Sequence, residues 1–376
     1  MEIKKNIKLL IINILVLLFL LLSLELFWRI ALSIKHIQNP HISYFGKTWF
    51  RENPVNLGQF DEKLLKTLKP NLLLKNVDLP RWEKNSTISS NSLGFRNNSN
   101  NIEKFENGRI LAVGDSFTFG DQTSDQSTWP SCLERKLSIK TDNGGYGGYS
   151  SSQAVRKAII ESNKREYSHI IWSVYFHDFE RDFSTKLLTK NSNGKIVFNN
   201  FIENNIVTKN NNNIKTYWGF LKEYSFLLYH IDTKVLRNYH QNFNINIQPG
   251  YKNNSKEKIF GIDKKLMEEN IYFLLEKFNN LNIKNKIIIY QYGDWSKNSS
   301  NNPDKNNNYD NNQIKKIINK IAKNYEILII DSADVLLTYD DLGLRKLWFD
   351  HHTREGNQVV CKFIVKKLIE NKYVLN

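Results

Sequence analysis

The stretch LAVGDSFTFG, at residues 111–120, carries the clearest structural signal in the sequence. An apolar run at 110–113 leads directly into Gly114, Asp115 and Ser116, which predicts a short buried strand that ends in a tight turn. A serine in such a turn lies at the carboxyl edge of the strand, where open α/β sheets have their functional sites. The alternative is a turn in which the serine only caps a helix.

Apolar runs of strand length alternate with helical patterns along the rest of the chain. The strand-like runs are at 169–176, 286–292 and 326–331, and the helical ones are at 128–138, 153–165, 264–280, 313–323 and 354–371. This alternation predicts a doubly wound, flavodoxin-like parallel α/β sheet. Because the crossovers are right-handed, all strands should end along one edge, which Ser116 then shares with the loops that follow the other strands.

The amino terminus predicts a membrane anchor. Residues 9–24 are almost entirely apolar, lysines precede them, and extension to Trp28 gives about the 20 residues that span a bilayer. The run is long for a signal peptide and lacks a good cleavage site, which favours an uncleaved signal anchor over a cleaved signal peptide or a buried core helix. The lysines predict a cytoplasmic amino terminus and a periplasmic remainder.

The predicted organisation has three parts. Residues 1–34 form the cytoplasmic leader and transmembrane anchor, 35–107 a juxtamembrane lead-in segment, and 108–376 the main domain. Within that domain, 180–262 has little periodicity and many asparagines, so we interpret it as an insertion. A connection of this length is usually functional or disordered, and it could form a lid or a docking surface.

Composition excludes some classes of function. The net charge is +15, but the lysines are scattered among asparagines and no nucleic-acid motif is present, so we expect no nucleic-acid partner. Cys132 and Cys361 do not have the spacing of metal ligands. An extracytoplasmic location would permit a disulfide, although buried thiols are the favoured interpretation. No metal or cofactor is predicted.

Asp350, His351 and His352 lie in a predicted loop, 342–353, before the last helix. A serine hydroxyl needs a base to take its proton, and an imidazole held by a carboxylate does so near neutral pH. Asp350 could orient His352, two residues away, more easily than its immediate neighbour His351. The alternatives are a solvated polar loop or metal binding by the two histidines, for which no third ligand lies nearby.

Two further positions could donate hydrogen bonds to an oxyanion. Gly148 ends the glycine-rich stretch at 143–148, where the backbone N–H can approach a substrate closely. His177 follows the predicted strand at 169–176 and could donate from its side chain. A flexible loop and a structural histidine are the respective alternatives.

Together these stretches resemble the GDSL, or SGNH, hydrolase family. GDSFTFG is similar to the family's first block, with Ser116 as nucleophile. The stretch at 143–148 resembles the second block, Asn-x-Gly-x-x-Gly, whose last glycine corresponds to Gly148. The stretch at 350–356 resembles the fifth block, which carries the catalytic Asp and His. The turn-like NSLGFR at 91–96 and the anchor are similar to a bacterial membrane-bound branch.

The sequence departs from the family pattern at two places. The third block, Gly-Asn-Asp, corresponds to Phe176, His177 and Asp178, so that His177 stands in place of the oxyanion asparagine. In the fifth block, counting from Asp350 makes His352 the base, whereas counting back from Thr353 and Gly356 gives His351. We therefore predict His352 as the base, with His351 as the alternative.

The resemblance implies a serine ester hydrolase that acts through an acyl-enzyme on O-acyl groups of carbohydrate or lipid. Ser116, Asp350 and His352 would form the catalytic triad, and Gly148 and His177 the oxyanion site. One alternative is an acyltransferase that passes the acyl group to a polysaccharide hydroxyl. Another is a glycan-binding module that retains the fold without catalysis.

Overall fold

The computed structural model describes residues 2–38, 57–77, 83–98, 108–185, 187–199, 258–259, 261–292, 305–349 and 351–374. The strands are β1 Gly58–Gln59, β2 Thr67–Leu68, β3 Leu73–Val77, β4 Ser86–Ser89, β5 Arg109–Val113, β6 Lys140–Asn143, β7 His169–Val174, β8 Leu188–Lys190, β9 Ile196–Phe198, β10 Lys258–Ile259, β11 Ile262–Asp263, β12 Asn285–Tyr290, β13 Leu328–Asp331, β14 Trp348–Phe349 and β15 His351–His352. The helices are α1 Glu2–Gln38, α2 Ser116–Phe119, α3 Trp129–Leu137, α4 Ser151–Ser162, α5 His177–Thr185, α6 Lys264–Asn279, α7 Lys305–Ala322, α8 Ala333–Leu336, α9 Asp341–Leu347 and α10 Arg354–Glu370.

The central sheet has five strands in the order β13-β12-β7-β5-β6, and all its neighbouring pairs are parallel. Numbered along the chain, this is the flavodoxin order 2-1-3-4-5. The structure confirms the predicted doubly wound parallel α/β fold. The strand ends at Val113, Asn143, Val174, Tyr290 and Asp331 all lie at the same edge.

Helices cover both faces of the sheet because its central strands are apolar on both sides. One face packs against α4, α6 and α7 around Trp172 and Phe278. The other packs against α3, α9 and α10 around Trp129 and Ile364. Thr128 caps α3 and Thr353 caps α10, each accepting a hydrogen bond from a backbone N–H of the first turn. The predicted helix at 354–371 is thereby confirmed.

A disulfide joins Cys132 of α3 to Cys361 of α10, with the two Cα atoms 6.2 Å apart. Both residues are buried. The expectation of buried thiols was therefore wrong: the two helices pack against each other on one face of the sheet and bring the sulfurs together. Sequence could not show this, because 229 residues separate the two cysteines.

The lead-in residues from Leu57 onward pack against the main sheet and share one compact unit with it. The NSLGFR stretch forms the predicted turn, in which Asn91 Oδ1 accepts from the N–H groups of Leu93 and Phe95. Gly94 takes φ +76° there. Arg96 N–H then donates to the carbonyl of Asn143 at 3.0 Å, which adds this segment to the end of edge strand β6. The boundary at residue 108 and the insertion 180–262 stay predictions.

Helix α1 belongs to a second compact unit. Its segment Asn6–Phe27 has 22 residues and a mean hydropathy of 2.8. This segment is long and apolar enough to cross a membrane, by length and composition. The predicted helix over residues 9–28 is thus present.

Candidate active site

Ser116 is the first residue of α2, directly after β5. Asp115 caps this short helix by accepting a hydrogen bond from Phe117 N–H at 3.0 Å on Oδ1. Gly114 permits the sharp turn, because a Cβ there would lie 2.3 Å from Thr118 Oγ1 and 2.8 Å from the carbonyl oxygen of Ser173. The predicted strand, turn and serine are therefore found at the carboxyl edge of the sheet.

His351 contacts the serine directly. Its Nε2 lies 2.7 Å from Ser116 Oγ. For Nε2 to accept the proton of the Ser116 hydroxyl, the imidazole must carry its own proton on Nδ1. A carboxylate stabilises this tautomer in serine hydrolases. Asp350, the residue predicted for that role, lies outside the described residues.

His352 points elsewhere, which corrects our preference for it as the base. Its Nε2 lies 3.3 Å from the carbonyl oxygen of Tyr292, and the residue is 2% exposed. The two histidines form β15, which pairs antiparallel with β14. Because successive side chains of a strand point to opposite faces, only one of them can reach Ser116.

Phe117 packs between the two histidines. The centroid of its ring lies 5.1 Å from that of His351 and 5.1 Å from that of His352. The residue that follows Ser116 therefore supports the imidazole that contacts Ser116. Burial lowers the pKa of His352 to about 4, against the weaker opposing effect of its hydrogen bond to Tyr292, so that this ring is neutral near pH 7.

We expect the free energy of unfolding to depend on pH through the protonation of His352. Its pKa is lower in the folded chain than in the unfolded chain, where it is near 6.5. Acidification from about pH 6.5 to pH 4 therefore protonates the unfolded state preferentially and removes up to about 3 kcal/mol from the free energy of unfolding. His352→Gln should lose this pH-dependent contribution, as measured by urea denaturation of both proteins at several pH values.

The comparison with the variant is needed because Asp115 acts in the opposite direction. Burial raises the pKa of this carboxyl to about 6, so its contribution to stability grows as the pH falls. Such carboxyls are common to both proteins and cancel in the difference. The prediction would be contradicted if the free energies of unfolding of the wild type and of His352→Gln changed in parallel between pH 4 and 6.5.

The glycine-rich stretch after β6 packs against α2. Gly145 is required there, because a Cβ would lie 2.4 Å from Phe119 N. Tyr146 N–H donates to the carbonyl of Gly114 at 3.2 Å, which ties this loop to the turn before Ser116. Gly148 is exposed, with φ +71°. The structure thus brings the stretch at 143–148 alongside the turn that carries Ser116.

His177 begins α5 and is partly exposed. Its Nδ1 lies 3.3 Å from Glu180 Oε2, and its ring packs against Tyr175. The next residue, Asp178, is buried and accepts a hydrogen bond from Arg181 Nη1 at 2.6 Å. The role of His177 as an oxyanion donor stays a prediction.

The sequence analysis assigned no role to three charged residues that contact Ser116, its neighbour Asp115 or the glycine-rich loop. Asp115 Oδ2 lies 3.2 Å from Ser116 Oγ, and Arg181 Nη1 lies 3.9 Å from the same carboxyl oxygen. Lys66 Nζ donates to the carbonyl of Gly147 at 3.1 Å. Lys66 lies 81 residues from Gly147 and had no local signal, whereas Arg181 follows His177 by one helical turn and could have been found by that spacing.

Within the described residues, no group of three or more His, Cys, Asp or Glu side chains is placed to hold a metal ion. The described residues at this edge of the sheet offer a serine hydroxyl, an imidazole, carboxyls, cations and backbone N–H groups. Such a set suits nucleophilic attack on a carbonyl carbon.

No protein-family model and no curated protein matches the chain. Solved structures that it is similar to include a lipolytic protein of the G-D-S-L family from Desulfitobacterium hafniense, at 16% identity and a TM-score of 0.37, with 70% of this chain and 100% of that chain covered. They also include the psychrotrophic esterase EstA from Pseudoalteromonas sp., at 11% identity and a TM-score of 0.38, covering 71% and 99%. The acetylxylan esterase Axe2 from Geobacillus stearothermophilus has 11% identity and a TM-score of 0.38, covering 70% and 95%. At these values the similarities assign no activity to the chain.

Proposed function

We propose that this chain is a serine ester hydrolase of the GDSL/SGNH type, with Ser116 as nucleophile and His351 as base. The observation that carries the proposal is the 2.7 Å contact between Ser116 Oγ and His351 Nε2 at the carboxyl edge of the sheet. A hydroxyl and an imidazole in this geometry are the core of nucleophilic acyl transfer. The position of Ser116 at the turn from β5 into α2 is the second support.

The proposed reaction has two steps. Ser116 Oγ attacks the acyl carbonyl while its proton passes to His351 Nε2, and the same proton then goes to the departing alcohol as the ester C–O bond breaks. Water attacks the resulting acyl-enzyme, gives a proton to His351 and releases the carboxylic acid, and Ser116 regains its proton. Asp350 is proposed to orient His351, and Gly148 and His177 to donate to the oxyanion.

We also propose that the enzyme is membrane-anchored and extracytoplasmic and acts on O-acyl groups of carbohydrate or lipid. Two observations support the location. Helix α1 contains a span long and apolar enough to cross a membrane, and the buried Cys132–Cys361 disulfide is typical of oxidising compartments. The lysines that precede the span favour a cytoplasmic amino terminus.

Labelling with a fluorophosphonate tests the nucleophile. The full-length chain in non-ionic detergent should form a covalent adduct on Ser116, because Oγ is activated to displace fluoride from phosphorus. Ser116→Ala should abolish the adduct and the hydrolysis of aryl acetates. Ser162→Ala, on the partly buried end of α4, serves as the control and should leave both intact.

Peptide mass spectrometry identifies the labelled residue. A folded protein that forms no adduct would overturn the proposal and favour a non-catalytic glycan-binding module. An adduct on Ser116, together with acyl transfer to a sugar hydroxyl in preference to water, would instead identify an acyltransferase.

A further inference from the structure

Two cationic side chains flank the exposed Gly148. Lys66 Nζ donates to the carbonyl of Gly147 at 3.1 Å, and Arg181 Nη1 donates to the carbonyl of Tyr149 at 3.3 Å. A Cβ at Gly148 would lie only 3.4 Å from Lys66 Nζ. The ammonium and the guanidinium are therefore fixed on the residues before and after the proposed oxyanion donor.

Arg181 also connects to the nucleophile. Its Nη1 lies 3.9 Å from Asp115 Oδ2, and that oxygen lies 3.2 Å from Ser116 Oγ. A negatively charged group on a substrate bound at Ser116 would thus lie within a Debye length of the Arg181 guanidinium, the range over which charges interact strongly. Both cations belong to the same compact unit as the serine.

Lys66 is held in place by the backbone around it. The carbonyl of Lys66 accepts a hydrogen bond from Tyr149 Oη at 2.8 Å, and the carbonyl of Leu64 accepts one from Gln153 Nε2 at 2.6 Å. The segment between β1 and β2 is therefore fastened to the glycine-rich loop and to α4. This arrangement preorganises the ammonium beside the loop, which lowers the entropic cost of binding.

The carboxyls that contact Arg181 are less exposed than its guanidinium. Asp115 and Asp178 are buried, whereas the Arg181 side chain is 38% exposed. Burial raises the pKa of Asp115 to about 6 and that of Asp178 well above its ordinary value, and burial also raises the pKa of the partly buried Asp121, beside Gly147, to about 7. The Arg181 guanidinium is therefore accessible to a substrate anion, whereas Asp115 and Asp178 are not exposed to compete with that anion.

We propose that Lys66 and Arg181 form an anion subsite that selects substrates with a negatively charged group, a carboxylate or a phosphate, next to the scissile ester. The proposal rests on Ser116 being the nucleophile of an ester hydrolase and names the class of its substrates. The competing explanation is that the two cations only stabilise the buried carboxyls, in which case their removal would affect charged and neutral substrates equally.

Three aryl acetates that differ in one meta substituent separate these explanations. 3-Acetoxybenzamide is neutral, 3-acetoxybenzoate carries a carboxylate, and 3-acetoxyphenyl phosphate carries a phosphate. The full-length wild type in non-ionic detergent should prefer a charged ester over the neutral one by about tenfold in kcat/KM at low salt, and less at high salt. The charged ester with the larger preference identifies the anion.

Variants of Lys66 test the assignment. Lys66→Met should reduce the preference for the charged ester about fivefold, mainly through KM, and Lys66→Arg should retain it. Lys63→Met is the matched control, because Lys63 is an exposed lysine of the same segment, and it should leave the preference as in the wild type. Equal losses on charged and neutral esters in Lys66→Met would overturn the subsite and leave the hydrolase intact.

A binding measurement keeps the two proposals separate. Ligand-observed NMR titration of Ser116→Ala protein with 3-acetoxybenzoate and with 3-acetoxyphenyl phosphate needs no turnover. If Lys66→Met weakens the binding of either charged ester about fivefold, the anion subsite is upheld. This holds even if the wild type hydrolyses none of the esters, in which case only the proposed function fails. Binding of both that is indifferent to Lys66→Met would overturn the subsite.

Discussion

His351→Ala is expected to lower kcat for ester hydrolysis by about 10⁶-fold, because it removes the imidazole that lies 2.7 Å from Ser116 Oγ. Without a base, the hydroxyl must lose its proton to water during attack. The KM should change little, since the imidazole contacts the nucleophile rather than a remote part of the substrate. Steady-state kinetics with an aryl acetate and the rate of fluorophosphonate labelling would both measure the effect.

His352→Gln is the matched control, one residue away. A glutamine amide can replace the Nε2–H donation to the carbonyl of Tyr292 and leaves His351 in place. We expect this variant to keep kcat within about tenfold of the wild type. A loss in His352→Gln that equals or exceeds the loss in His351→Ala would refute the assignment of the base.

Arg96→Met is expected to lower the free energy of unfolding by about 3–5 kcal/mol. The guanidinium is fully buried and pairs through Nε with Asp125 Oδ1 at 2.9 Å. It also donates to the carbonyls of Phe119, Gly120 and Thr123, at 2.7, 2.8 and 2.6 Å. Methionine of similar length would leave a buried carboxylate and three carbonyls without this partner.

The effect should be local to the region around Ser116, because the three carbonyls belong to the last residue of α2 and to two of the four residues that follow it. Urea denaturation of the full-length chain in detergent gives the midpoint and slope. Lys366→Met removes an exposed ion pair with Glu370 and should change the free energy of unfolding by less than about 0.5 kcal/mol. Equal stability of the two variants would show that Arg96 does not hold this turn.

The sheet could be predicted from sequence wherever a strand is apolar. Besides β5, the strands β7, β12 and β13 are predicted by continuous apolar runs, as expected for strands that are covered on both faces. Edge strand β6, Lys140–Asn143, was missed because KTDN has neither an apolar run nor an alternating pattern. Its strand conformation comes from pairing with β5, which is a tertiary interaction that local sequence does not encode.

For the residues of the candidate site, too, the sequence predicts only what a local pattern encodes. Ser116 follows from a local pattern, strand then turn, and the structure places it as predicted. The choice between His351 and His352 depends on which face of β15 meets α2, and two adjacent residues carry no periodicity that could decide it. Lys66 and Arg96 act through contacts with distant carbonyls, so no local pattern could assign their roles.

The Cys132–Cys361 bond closes a covalent ring around most of the sheet. Ser116 precedes the first cysteine of this ring in the chain, whereas His351 lies between the two cysteines. A protease that cuts the chain anywhere between residues 132 and 351 would therefore separate His351 from Ser116 in the polypeptide. A chain cut there stays in one piece until it is reduced, with its carboxyl-terminal helix still attached to the fragment that bears the serine. On a non-reducing gel, a nicked protein would therefore be indistinguishable in mass from an intact one.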